Sequence, residues 1–181
     1  MRVYVPATLT MLQRLITDET LRPVNGTAFA VTPTLREAYA EGDEDELADV
    51  ALREAAMASL RLLDHEGLLD HEGGGDHEGG GDLPPRRVVI EADVDDETDG
   101  VTVRPDLDDA VVRMTGDVAI GRVIAAYVDT AAAEPAVLAA VAVIDEADLG
   151  DEDAELTVGD AQDHDLAWYA PQELPFLLEL L

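Results

Sequence analysis

The chain has 181 residues, 47% of them apolar, so it can bury a core and is not disordered throughout. Its 41 Asp and Glu face 11 basic residues, all of them Arg, and the formal net charge of −30 repels nucleic-acid backbones and anionic membrane surfaces. The chain has no cysteine, which excludes disulfides, thiolate metal sites and a cysteine nucleophile.

In chain order, residues 2–6 read as a strand in which Val3 and Val5 alternate with Arg2 and Tyr4 up to Pro6. Thr8 can cap a helix whose apolar stripe is Leu9, Leu12, Leu15 and Ile16. Pro23 and the Asn25-Gly26 pair mark a turn, and Thr27 to Thr32 reads as a buried second strand. Pro33 opens a short helix that breaks near Gly42. From Asp43 or Asp45, apolar residues at helical spacing predict a long amphipathic helix to about Leu63.

Residues 64–82 then repeat Asp-His-Glu-Gly, starting at positions 64, 70 and 76, with glycine triplets ending the second and third units. The stretch 64–85 is expected to be a flexible, low-complexity loop inserted in a single domain spanning 1–181. Val88 to Val94 reads as a third strand, Ala110 to Met114 as a short one, Ile120 to Val128 as a helix, and Glu134 to Ile144 as another helix with Pro135 in its first turn. Asp145 to Glu155 reads as an acidic loop, Leu166 to Tyr169 as a strand, and Gln172 to Leu180 as a closing helix. Strands and helices alternate with uneven crossovers, which predicts an α+β or irregular α/β fold: one layered domain with a mixed sheet packed against helices.

Few motifs carry chemistry. His65, His71 and His77, each flanked by Asp and Glu, are adventitious metal candidates, but glycine-rich chain offers no preorganised shell, so no metal site is expected there. The glycine triplets lie after a helix and before a strand, the reverse of a phosphate-binding loop, and no Lys is present; the Rossmann pattern is also absent, so no cofactor is expected. The single serine, Ser59, lies in an apolar helix face rather than a nucleophile elbow. The acids between Asp95 and Asp109 lack the calcium-loop pattern. Near the C-terminus, Asp163 or Asp165 can orient His164, although no nucleophile is evident. Trp168 and Tyr169 adjoin on a strand and so face opposite sides, one ring entering the core and the other free for a cleft or interface. Tyr4, Phe29, Tyr39, His164, Trp168 and Tyr169 are therefore the ligand-cleft candidates.

Arg2-Val3-Tyr4-Val5-Pro6-Ala7-Thr8-Leu9, Gly26 to Pro33, Leu35 to Tyr39 and Leu166 to Leu174 resemble an uncharacterised actinobacterial family of unknown function. The resemblance implies a lineage and a cytoplasmic home, and no activity. Gly26 to Tyr39 is also similar to the Gly-x-x-Phe strand and Thr-Pro-led helix of ADP-ribosyltransferase-like domains. Val5-Pro6-Ala7-Thr8 departs from that family's His-Gly, which puts dinucleotide binding in doubt and implies a degenerate relative.

Met1 runs directly into a strand without a basic-then-apolar leader, and no uncharged apolar run approaches the roughly 18 residues of a membrane span, so a cytoplasmic protein with no membrane contact is expected. The leading functional expectation is a non-catalytic acidic protein that binds a basic protein partner and no nucleic acid. The alternative is a small-ligand-binding or transferase-like domain. A nucleic-acid mimic would need regularly spaced acids on one face, and the acidity also suits plain solubility in a GC-rich genome.

Overall fold

The computed structural model describes residues 1–72 and 83–181, with backbone alone for 68–72. Strand β1 (Arg2–Ala7) leads to helix α1 (Leu9–Asp18), whose cap is Thr8: its Oγ1 accepts from the Met11 N–H at 3.3 Å. A two-residue strand β2 (Thr20–Leu21) and a turn with Asn25 and Gly26 at positive φ precede β3 (Thr27–Phe29). Gly26 is required here, because an added Cβ would meet the Met114 carbonyl oxygen. Helix α2 (Pro33–Ala38) is capped by Thr32. Helix α3 (Glu44–Glu72) begins with a reciprocal box in which Glu46 N–H donates to Asp43 Oδ1 and Asp43 N–H to Glu46 Oε2.

Strands β4 (Val88–Asp93), β5 (Thr102–Val103), β6 (Val111–Arg113), β7 (Val118–Ala119) and β8 (Val123–Val128) follow, then α4 (Glu134–Asp148), α5 (Glu152–Gln162), β9 (Ala167–Tyr169) and α6 (Leu174–Glu179). Seven strands form one sheet in the order β5-β6-β3-β1-β4-β8-β9, with every pairing antiparallel; β2 and β7 form a separate ribbon. The class is α+β, with helices on both faces.

Strand alternation assigns the faces. Val3, Val5 and Ala7 of β1 join Val88, Ile90 and Ala92 of β4 in a core closed by Leu9, Leu12 and Leu15 of α1 and by Leu174 and Leu177 of α6. Tyr4, Phe29 and Val89 face the other way, onto Leu47, Ala51 and Ala55 of α3. The far half of α3 carries Leu60 into a third cluster with Val137, Ala140 and Ile144 of α4 and Val158 and Ala161 of α5. Alanines on the strands, such as Ala28, Ala125 and Ala126, are fully buried, and their small side chains let the helices sit close to the sheet.

Three expectations are corrected. Ile120–Val128 is not a helix: a single 3-10 turn over Ile120–Arg122 feeds β8, and because this strand is covered on both faces its apolar run shows no alternation to mark it. Asp145–Glu155 is not a loop: α4 runs to Asp148, Gly150 turns at positive φ, and Asp151 caps α5 by accepting from the Ala154 N–H at 2.9 Å. The acids at the start of α5 lie where the helix dipole favours them. Finally, α3 does not end near Leu63, so residues 64–72 of the Asp-His-Glu-Gly stretch are helical. Residues 73–82, the remainder of the repeat, lie outside the described residues.

Candidate functional site

Antiparallel register places Tyr4 of β1 opposite Phe29 of β3 on one side and Glu91 of β4 on the other, with all three side chains on the α3 face. Tyr127 of β8 joins them from the next strand. The register of β4 with β8 slips between Glu91 and Ala92, so the irregularity lies at the level of this row. Glu91 is buried and its carboxylate is fully used: Tyr127 Oη donates to Oε2 at 3.0 Å, and Arg2 Nε lies 3.2 Å from Oε1.

The two phenols sense this carboxylate. Burial, reinforced by the negative charge of Glu91 and opposed by Arg2, pushes the Tyr4 pKa up to about 12. Tyr127 is displaced upward further still, by burial first and then by its hydrogen bond to Glu91. Both are neutral hydroxyls at physiological pH.

Beside Tyr4 opens a groove of about 480 Å³, walled by Met1, Arg2 and Tyr4, by Val31, Pro33 and Arg36, by Glu44, Asp45 and Ala48 at the start of α3, and by Asp96. Its cations are already engaged. Arg2 pairs with Glu91, Arg36 forks onto Glu44 at 2.9 and 3.3 Å, and the Met1 ammonium lies 3.1 Å from Asp96. The Tyr4 hydroxyl and the Asp45 carboxylate have no hydrogen-bond or ion-pair partner among the described residues.

Of the residues singled out in the sequence, Tyr4 and Phe29 meet on this face, and only Tyr4 lines the groove. Trp168 stands opposite Tyr127 on the edge strand β9, on the same face, 57% exposed, but three strands from Tyr4, roughly 14 Å along the sheet. Tyr169 turns to the other face and packs against the α1 core. Tyr39, at the end of α2, is 50% exposed. His164 is half-buried, and its carbonyl accepts from Arg87 Nη2 at 2.8 Å. His65 is exposed on α3, His71 lies where backbone alone is described, and His77 lies outside the described residues. Among the described residues, no group of three or more His, Asp or Glu is placed to hold a metal ion.

Reading from sequence missed Glu91, Tyr127 and Asp45. Glu91 carried one signal: it is the single acid within the apolar run of Val88 to Ala92. Tyr127 was hidden by the mistaken helix, and Asp45 by the density of acids around it.

The model of DUF6912, a family of unknown function, matches residues 1–178. The chain belongs to DUF6912. No curated protein and no solved structure matches it.

Charge in this DUF6912 chain is distributed unequally between its two signs. Eight of the 11 arginines stand within ion-pair distance of a carboxylate, from exposed Arg22–Asp117 to buried Arg87–Asp129. Arg113 and Arg122 donate instead to the backbone carbonyls of Asn25 and Asp93. Ten of this chain's 11 arginines are thus engaged within it, and the formal charge that remains is an excess of carboxylate. No helix among the described residues is long and apolar enough to cross a membrane.

Proposed function

We propose that this chain is a non-catalytic acidic protein of actinobacterial, cytoplasmic type that works by binding a basic protein partner. The observation that carries the reading is the consumption of its arginines: eight are held by carboxylates and two more by backbone carbonyls, so 41 acids are matched by almost no free cation. Such a surface steers cationic partners toward it and repels nucleic acid. Its exposed apolar side chains, Trp168 on the edge strand among them, give a partner something to hold that salt does not weaken.

The test is capture from native lysate on the immobilised chain, washed first at low and then at high salt. One stoichiometric basic protein that survives the high-salt wash supports the reading. A mixture of basic proteins that all elute together shows that the charge serves solubility alone.

A second reading, a small-ligand-binding domain, is favoured by the groove beside Tyr4. Screening amines, nucleotides and carboxylic acids by thermal shift tests it, and a rise in melting temperature with one class alone would support it.

A further inference from the structure

We propose that the groove beside Tyr4 receives one guanidinium or ammonium group carried by a basic protein segment, held between the Asp45 carboxylate and the Tyr4 hydroxyl. The proposal rests on the basic-partner reading above and names the place and chemistry of one contact.

Tyr4 is only 5% exposed, lines the groove, and its hydroxyl finds no partner among the described residues. The hydroxyl is not among the buried side-chain atoms left without a partner, so the little of Tyr4 that is exposed includes this oxygen, at the groove. Asp45 lines the same groove from the first turn of α3, close enough for its charge to act on Tyr4. An anionic ligand would meet guanidiniums already committed to Glu91 and Glu44. A cation would meet a carboxylate and a hydroxyl with no partner among the described residues, and an apolar wall of Val31, Pro33 and Ala48 against which methylenes can lie. The volume of about 480 Å³ is ample for one long side chain with its head group. The surrounding carboxylates raise the local concentration of cations and accelerate encounter.

The test is an amide NMR titration of the full chain with three probes: N-acetyl-arginine amide, its uncharged citrulline counterpart, and a short peptide with one arginine among uncharged residues. The arginine probes are expected to shift Tyr4, Val31 and Ala48 saturably, and citrulline is not. Asp45→Asn should weaken binding about tenfold or more, and Tyr4→Phe, which leaves the ring in place, about threefold to tenfold. Glu152→Gln, on the exposed start of α5, should change nothing. Peptide binding at least about tenfold tighter than the amide assigns the cation to a protein segment through the contacts flanking it. Equal affinity overturns that assignment in favour of a free organic cation. Shifts spread over other acidic faces, weakened as much by Glu152→Gln as by Asp45→Asn, overturn the groove while leaving the basic-partner reading to the capture experiment.

Discussion

Arg87 and Asp129 form a two-pronged ion pair inside the protein, Nε to Oδ2 at 2.9 Å and Nη2 to Oδ1 at 2.8 Å, with Arg87 2% exposed and Asp129 fully buried. The Arg87 backbone N–H also donates to Oδ2, and Nη2 reaches the His164 carbonyl. One guanidinium thus ties the start of β4, the end of β8 and the connection from α5 to β9. Both charges are desolvated, so removing one strands the other. Asp129→Leu should cost about 3–5 kcal/mol of stability and Arg87→Met about as much, whereas the double change Arg87→Met with Asp129→Leu should cost less than either single change. Urea unfolding of the four proteins checks this; a double variant as unstable as the sum of the singles would deny the pair its shared role.

Ser59 performs a related task without charge. Its hydroxyl donates to the Ala7 carbonyl at 2.7 Å and accepts from the Val88 N–H at 3.0 Å, bridging the ends of β1 and β4 to α3. Ala7 and Val88 are register partners, so the serine completes the last rung of their ladder. Ser59→Ala leaves a buried donor and a buried acceptor unpaired and should cost about 1–3 kcal/mol. Hydrogen exchange at Val88 should accelerate more than exchange at Ile90 in the middle of the strand, and equal acceleration would mean the loss is not local.

Burial on both faces hid β8 but not β4, because the β-branched run Val88-Val89-Ile90 marks a strand where the two alanines in the middle of β8 do not. β1 and α1 were legible because Val3 and Val5 alternate and because Thr8 stands ahead of Leu9 and Leu12 at helical spacing. β8 was not, because burial on both faces removes the alternation that distinguishes a strand from a helix. α5 was masked by its acids, although Ala154, Val158 and Ala161 carry a narrow stripe at the right spacing. The site followed the same logic. Tyr4 and Phe29 are rare aromatics and drew notice. Glu91 and Tyr127 matter through a pairing of β4 with β8 that sequence order does not reveal.

The first Asp-His-Glu-Gly unit has a structural part to play. Glu66 lies on α3, and its Oε1 accepts from the hydroxyl of Thr8, the residue that caps α1. Deletion of 64–82, which reads as harmless if the whole stretch is a loop, removes this contact and the last turns of α3 described here. Thr8→Ala should cost about 1–2 kcal/mol and Glu66→Ala about 0.5–1.5 kcal/mol, with the pair coupled in a double-mutant cycle. Chemical denaturation measures the coupling; strictly additive losses would show that the two side chains do not act on each other.

Alkaline pH should unfold this protein through its buried phenols. The Tyr4 pKa rises from its ordinary 10 to about 12 on folding, and Tyr127 is raised further in the same direction. The native state therefore binds these protons more tightly than the unfolded chain does. Their contribution is fully present below about pH 10 and falls as the pH rises through the native values, because the unfolded chain releases its protons first. Stability measured by urea unfolding should accordingly fall steeply above about pH 10. Tyr4→Phe removes one titrating group and should flatten that fall while changing stability at neutral pH little, since the hydroxyl has no hydrogen-bond partner among the described residues. Tyr127→Phe should flatten it too, but at a neutral-pH cost of about 1.5–3 kcal/mol for the lost hydrogen bond to the buried Glu91 carboxylate. If both variants keep the wild-type slope above about pH 10, other groups control alkaline unfolding and the phenols are not coupled to the fold in this way.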